Sequence, residues 1–393
     1  MSPGIRLRSG RVRSAPDPNR EAADARLCFA STGARPRGRA PTSVDAADAA
    51  SRSLQTRGVP ALTPLPPHVR GTSFHVSEYG FHQLSRGRLR GRDLDAHFHG
   101  IRSVGLCLDD AFDRARIYAP RLHDGQVLCS VTAALLWDIP LPLRLRRPTE
   151  VHVGDIRGSK PRARGVIGHL LRDVDRRFLE EIPVTSPAQT WCQLAALLSP
   201  EDLVAAGDFL LSGKRMRHGR RDPPLCSLTD LEEARARFGR QPGAANIRWA
   251  LPRLRPGVDS RPESLLRLTF VAHRLPEPAI QHPVAVLGGR ILHPDLAYPF
   301  ARLGIEYEGD DHRQDKARWR DDLRRGVLFD DAGWRIIRAT QDDLDDPSTI
   351  VLAVRRALRR AAVQSTRSTA ESKRSTAVPI PTGTARPRTH RQP

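Results

Sequence analysis

Pro294-Asp295-Leu296-Ala297-Tyr298-Pro299-Phe300-Ala301-Arg302-Leu303-Gly304-Ile305-Glu306-Tyr307-Glu308-Gly309-Asp310-Asp311-His312 is the stretch on which the reading of this 393-residue chain turns. Leu303 to Glu308 has the alternation of a strand, so Ile305 and Tyr307 share one face while Glu306 and Glu308 share the other. Two carboxylates side by side on a half-buried strand repel each other, and burial raises the cost further. A divalent cation removes both objections. Oxygen ligands from two or three carboxylates, completed by water and phosphate, are what Mg²⁺ prefers. The chemistry this points to is metal-assisted attack of water on a phosphodiester.

Other residues fall into order around that stretch. In Ser260-Arg261-Pro262-Glu263-Ser264-Leu265-Leu266-Arg267, Glu263 is read as lying on a helix, and Leu275-Pro276-Glu277-Pro278-Ala279-Ile280-Gln281 follows it. Val284 to Leu287 and Arg290 to Leu296 make a hairpin across Gly288-Gly289. A helix is expected from about Gln314 to Phe329, a strand from Trp334 to Ala339, and a helix from Ser348 to Arg360. Together these give an α/β module, a mixed sheet flanked by helices, over residues 258–362.

From Ser260 to Arg360 the series resembles the PD-(D/E)XK nuclease superfamily, within it the small bacterial domains related to very-short-patch-repair endonucleases. Ser260 to Arg267 looks like the family's opening helix with its acid at Glu263, Leu275 to Gln281 is similar to the turn into its first core strand, and Asp295 matches the acid of its second strand. Glu306 and Glu308 fall where relatives carry Glu-x-Asp before Gly, and His312 fits the family histidine. The resemblance implies a restriction-endonuclease-like fold and a metal-dependent DNA endonuclease. Its catalytic set would be Glu263, Asp295, Glu306, Glu308 and His312. Asp295, Glu306 and Glu308 would hold Mg²⁺ or Mn²⁺. The third motif residue is Glu308 where the superfamily carries Lys, so the water-activating base stays open; Lys316, a turn beyond His312, could replace it or contact phosphate. Arg313, Lys316, Arg320 and Arg324 recur at helical spacing beside the site and, with Gln281, are the candidate DNA contacts. A solvated helix face would show the same spacing.

The net charge of +20 suggests a polyanionic partner, because Lys and Arg that neutralise phosphates release condensed counterions. The charge is unevenly spread. Residues 258–362 hold 17 Lys/Arg against 17 Asp/Glu, so DNA attraction must come largely from outside the module. The five cysteines are scattered with no Cys-x-x-Cys, which argues against a zinc site and gives no disulfide framework. No apolar run approaches a membrane span, and the N-terminus lacks the apolar core of a secretory signal, so residence in the cytoplasm is expected, with no membrane partner.

Residues 1–65 and 363–393 are rich in Arg, Ser, Pro, Ala and Thr without periodicity, and read as a disordered basic arm and a disordered tail. Residues 66–235 have α+β periodicity. Phe81 to Leu89 reads as a short basic helix and Ile117-Tyr118-Ala119-Pro120 as a short strand. Ser130 is expected to cap a helix through Trp137; Val151–Val153 and Gly165–Leu170 read as strands. Pro187 starts a helix with Trp191, Leu194, Ala195 and Leu198 on one stripe, and Leu203, Gly207, Leu210 and Leu211 form a second stripe. This region resembles the abortive-infection antitoxin-like proteins of type IV toxin–antitoxin systems, best at Ser130–Ala134 and Pro183–Trp191. The resemblance implies a winged helix at its start, over 74–119, and a protein partner from a toxin–antitoxin or defence system. Residues 236–257 read as a linker. Two functions follow from these readings. One is the metal-dependent endonuclease, in repair, phage defence or a toxin–antitoxin context. The other is a non-catalytic, DNA-binding, antitoxin-like transcriptional regulator that keeps a nuclease fold.

Overall fold

Helices and sheets alternate along the chain in the computed structural model, which describes residues 62–147, 149–215, 220–309 and 316–375, without the side chains of 316–323 and 367–375. The described residues belong to one compact unit. The strands are β1 (Ser73–His75), β2 (Ile101–Ser103), β3 (Gln126–Leu128), β4 (Val151–Asp155), β5 (Val166–Leu170), β6 (Arg176–Leu179), β7 (Ile182–Thr185), β8 (Ala279–Ile280), β9 (Val284–Ala285), β10 (Ile291–Leu292), β11 (Leu296–Tyr298), β12 (Leu303–Tyr307) and β13 (Arg335–Ala339). The α-helices are α1 (Ala111–Tyr118), α2 (Ser130–Leu136), α3 (Leu143–Arg146), α4 (Pro187–Leu194), α5 (Pro200–Ser212), α6 (Leu228–Phe238), α7 (Ala244–Ala250), α8 (Arg261–Ala272), α9 (Lys316–Asp331), α10 (Gln341–Asp345) and α11 (Ser348–Ser375).

Strands β3 to β7 form a mixed five-stranded sheet in the order β5-β4-β3-β7-β6. Helices α4 and α5 pack on each other through the two expected stripes. Trp191 is fully buried and its indole N–H donates to the Leu203 carbonyl at 2.8 Å. Both helices start as the sequence dictates, with Ser186 and Ser199 accepting a backbone N–H and Pro following at the first position. Buried leucines such as Leu203 and Leu210 contribute roughly 1.5–3 kcal/mol each to this core.

Several expectations fail in this half. Residues 236–257 are not a linker: α7 inserts Ile247 and Ala250 into the same core as Trp191, and Gly243, at φ 91°, lets the chain pass against the Ala195 backbone. Ile117 and Tyr118 end a helix rather than form a strand. Asp110 caps α1 by accepting the Asp113 N–H, a local helix-start signal that outweighs the β-propensity of two residues at the far end of the helix. Phe81 to Leu89 is broken by turns, with one 3₁₀ turn at Arg88–Arg90. Ser130 lies inside the helix start rather than capping it: Cys129 is the N-cap, and Ser130, at φ 51°, gives its N–H to Gln193. Over 74–119 the described residues hold two paired short strands, single 3₁₀ turns and one helix, α1, instead of the helix pair of a winged helix.

The C-terminal sheet runs β13-β12-β11-β8. Strand β11 is antiparallel to both β8 and β12, while β12 and β13 are parallel, as the α9 crossover between them requires. Ile280, Leu296, Ile305 and Ile337 stand in one transverse row, packed against Leu266 and Phe270 of α8 and Ile350 and Val354 of α11. Phe329 of α9 covers the other face with Trp334, Val284 and Leu292. The expected Gly288-Gly289 turn is present, with both glycines at positive φ, but its strands β9 and β10 form a separate ribbon and β11 starts afresh after Asp295. Helix α11 continues to Ser375, so 363–375 is helical rather than tail; the readings of 1–61 and 376–393 lie outside the described residues. No helix among the described residues is long and apolar enough to cross a membrane.

The two halves are joined by a buried polar bond. Arg267 of α8 and Asp208 of α5, both with almost no exposed surface, pair at 2.9 Å. Asp208 also accepts the Ser264 hydroxyl at 2.7 Å and the Arg255 N–H at 2.6 Å. The other Arg267 arm meets Glu277 at 2.8 Å. Burial raises the Asp208 pKa even so, and Arg267 is the largest influence pulling it back down.

Candidate functional site

One residue beyond each core row lies a polar one. The β8–β11–β12–β13 register places Gln281, Asp295, Glu306 and Arg338 across from one another at a single level of the sheet. The pairing of Gln281 with Asp295 is fixed by the Gln281 N–H donating to the Asp295 carbonyl at 3.1 Å. Asp295 and Glu306 are therefore directly opposed across an antiparallel pair, the position where like charges repel most. The Asp295 carboxylate accepts the Tyr307 N–H at 2.8 Å, which holds it at the end of the ladder.

Glu263 approaches from the first turn of α8. Ser260 caps that helix by accepting the Glu263 N–H, and the Asp259 N–H donates to the Glu263 carboxylate at 3.0 Å. With 4% exposure the side chain is buried. Burial first, then the negative charge of Asp295, pushes its pKa up to about 8. Asp295 is raised to about 6, again by burial and then by Glu306, against the lowering bond from Tyr307. The two groups form a coupled pair that resists carrying two charges.

The remaining residues divide. Glu306 is held by Arg325 of α9, which reaches it at 2.6 and 3.0 Å and also bonds the His293 carbonyl at 2.7 Å. Glu308 turns instead to Arg338, at 3.0 Å and well exposed. The expected metal set of Asp295, Glu306 and Glu308 is thus not gathered: among the described residues no group of three or more His, Cys, Asp or Glu is placed to hold a metal ion. The alternation that put Glu306 and Glu308 on one face is correct, but each finds its own arginine. Asp295 and Glu306 still fit a hard dication. Their donors are all oxygen, as a hard dication prefers; the pKa values of Asp295 and Glu263 are raised first by burial, which favours the neutral acids, and then by a neighbouring carboxylate. His312 and Arg313 lie outside the described residues, and Lys316 and Arg320 lie on α9 with side chains outside them. Arg324 is exposed on α9.

The sequence reading missed Arg325, the cation that stands beside Glu306 where Lys316 was considered. Its signal was indirect: opposed carboxylates need a positive partner, and Arg325 lies one helical turn before Phe329, whose buried ring it overlies at 5.4 Å. It also missed Asp259, which is clasped by Arg215 and Arg221 from the connection between α5 and α6.

Over 178 residues, 45% of this chain, the sequence is 29% identical to uncharacterized proteins of two Mycobacterium tuberculosis strains. The match spans 62% of the length of those relatives. No protein-family profile and no solved structure matches the chain.

Proposed function

We propose that the chain is a metal-dependent DNA endonuclease whose catalytic module, residues 258–362, has a restriction-endonuclease-like fold. The observation that carries this is the convergence of Glu263, Asp295 and Glu306 from α8, the start of β11 and β12 onto one end of the sheet. The order α8-β8-β11-β12-α9-β13, with only the last two strands parallel, supports the same reading, since it is the order the nuclease resemblance implies. Asp295 and Glu306 would hold Mg²⁺ or Mn²⁺. Bound there, the ion would polarise a phosphoryl oxygen and lower the pKa of a water. Glu263 retains a proton near neutral pH and can exchange it with a group at the Asp295 carboxylate. Arg325 positions Glu306 and adds positive charge where a phosphate would lie. Tyr307 fixes Asp295 through its backbone, so the acid that must point at the ion has no freedom to swing.

A second reading is the antitoxin-like regulator, favoured by one observation: Glu306 and Glu308 are each satisfied by an arginine as the protein stands. Thermal melts of the full chain with Mn²⁺ separate the two. A cation that binds only the folded state at ten times its dissociation constant stabilises by about 1.4 kcal/mol. The endonuclease reading expects wild type to gain this and Asp295→Asn to gain none. Equal behaviour of both proteins at every millimolar concentration favours the regulator.

A further inference from the structure

The connection from Gly213 to Ser227 carries five Lys/Arg against one acid, while the module it touches is neutral. It belongs to the helical half, yet it ends at the candidate site. Gly213, at φ 72°, packs so tightly on the Asp222 carbonyl that no Cβ would fit. The Asp222 N–H returns to the Lys214 carbonyl at 2.8 Å, and Arg215 and Arg221 form an antiparallel bridge. The base of this arm is therefore a built structure.

Its two arginines do different work. Arg221 is half-buried and binds the carbonyls of Gly257 at 3.0 Å, Val258 at 3.2 Å and Gly213 at 3.3 Å, as well as Asp259. It is an anchor. Arg215 is exposed, shares Asp259, and reaches the Gln281 side-chain oxygen at 3.3 Å. Gln281 is the outermost member of the polar row, beside Asp295. The Gln281 amide nitrogen is buried without a hydrogen-bond partner.

We propose that the described base of this arm is a phosphate-contacting element, with Arg215 laid against the backbone of duplex DNA at the rim of the carboxylate row and Arg221 pinning that base in place. The inference rests on the phosphodiester reading of the site and deepens it: the helical half adds a cation to a module whose net charge is zero. An exposed guanidinium with a single carboxylate partner exchanges that partner for a phosphate at small cost, whereas one with three backbone carbonyls does not.

The test uses the full chain and a fluorescein-labelled duplex of arbitrary sequence in EDTA, titrated across KCl concentrations. Replacing one phosphate-contacting arginine lowers the slope of log affinity against log salt by about 1. Arg215→Gln is expected to show this with an affinity loss of roughly three- to tenfold and an unchanged Tm. Arg215→Lys, which keeps the charge, should restore most of the slope, a rescue that a merely structural role would not give. Wild-type affinity and slope in Arg215→Gln overturn the proposal, and if wild type still cleaves DNA the nuclease reading stands without it. A wild type that cleaves nothing but loses its salt slope with Arg215→Gln removes the nuclease reading and keeps the arm.

Discussion

Glu263→Gln should make the protein more stable, and only where the carboxyl would otherwise ionise. A carboxyl raised from 4.5 to about 8 on folding holds its proton longer in the native state. Its contribution is therefore fully present below pH 4.5 and is lost progressively as pH rises toward 8. Between 4.5 and pH 7, at about 1.4 kcal/mol per pH unit, the loss is roughly 3 kcal/mol, an upper bound because Asp295 takes part of the same charge. Glutamine keeps the shape and can still accept the Asp259 N–H, but never ionises. The variant should match wild type near pH 4.5 and exceed it at pH 8, by about 5 °C in Tm or somewhat more. Calorimetric melts from pH 4.5 to 8 without divalent ions measure this. A variant less stable than wild type at every pH, or a difference that does not grow with pH, would refute the buried-acid account. Glu263 would then be an ionised structural cap.

Arg267→Met strands Asp208 without its ion-pair partner in the core and should destabilise by about 3–5 kcal/mol, whereas Asp208→Leu with Arg267→Met should recover much of that loss; urea denaturation of the two variants decides it. The same bond implies that a fragment beginning at residue 258 loses the Asp208 partner and the α5 cover of Arg267 and keeps only its Glu277 pair, so it should fold less stably than the full chain, read by its urea midpoint. Deleting residues 1–61 removes eleven arginines and five acids, and should weaken non-specific DNA affinity and flatten its salt dependence without altering the Mn²⁺-dependent gain in Tm.

The C-terminal elements were legible because most carry their own local signal. The paired glycines mark a turn and Leu303 to Glu308 an alternating strand, while the opening helix, which Ser260 caps, came from the family resemblance. Asp295, Glu306 and Gln281 fall into one row because the register of four strands sums those local signals. What the sequence hid was set by distant partners. Arg325 is indistinguishable in sequence from the other arginines of α9, and only the sheet and α9 decide that it takes Glu306 while Arg338 takes Glu308. Helices α6 and α7 hid inside a charged stretch because their apolar faces are short, with Leu231, Ala234, Ile247 and Ala250 as their buried members. The joint between halves rests on Asp208 and Arg267, residue types that pattern reading assigns to the surface.

The central claim, that the carboxylates at the end of β11 and β12 cut DNA, is tested most directly by plasmid cleavage. Wild type, Asp295→Asn and Glu308→Gln are incubated with supercoiled plasmid and Mg²⁺ or Mn²⁺, with mismatched and single-stranded substrates in parallel. Asp295 faces Glu306 and the buried Glu263, so its loss should lower nicking by about 100-fold or more while Tm without metal does not fall. Glu308 is occupied by Arg338 at the exposed edge, so Glu308→Gln should retain most of the activity. Cleavage that survives Asp295→Asn, or a wild type inert on every substrate, would contradict the account.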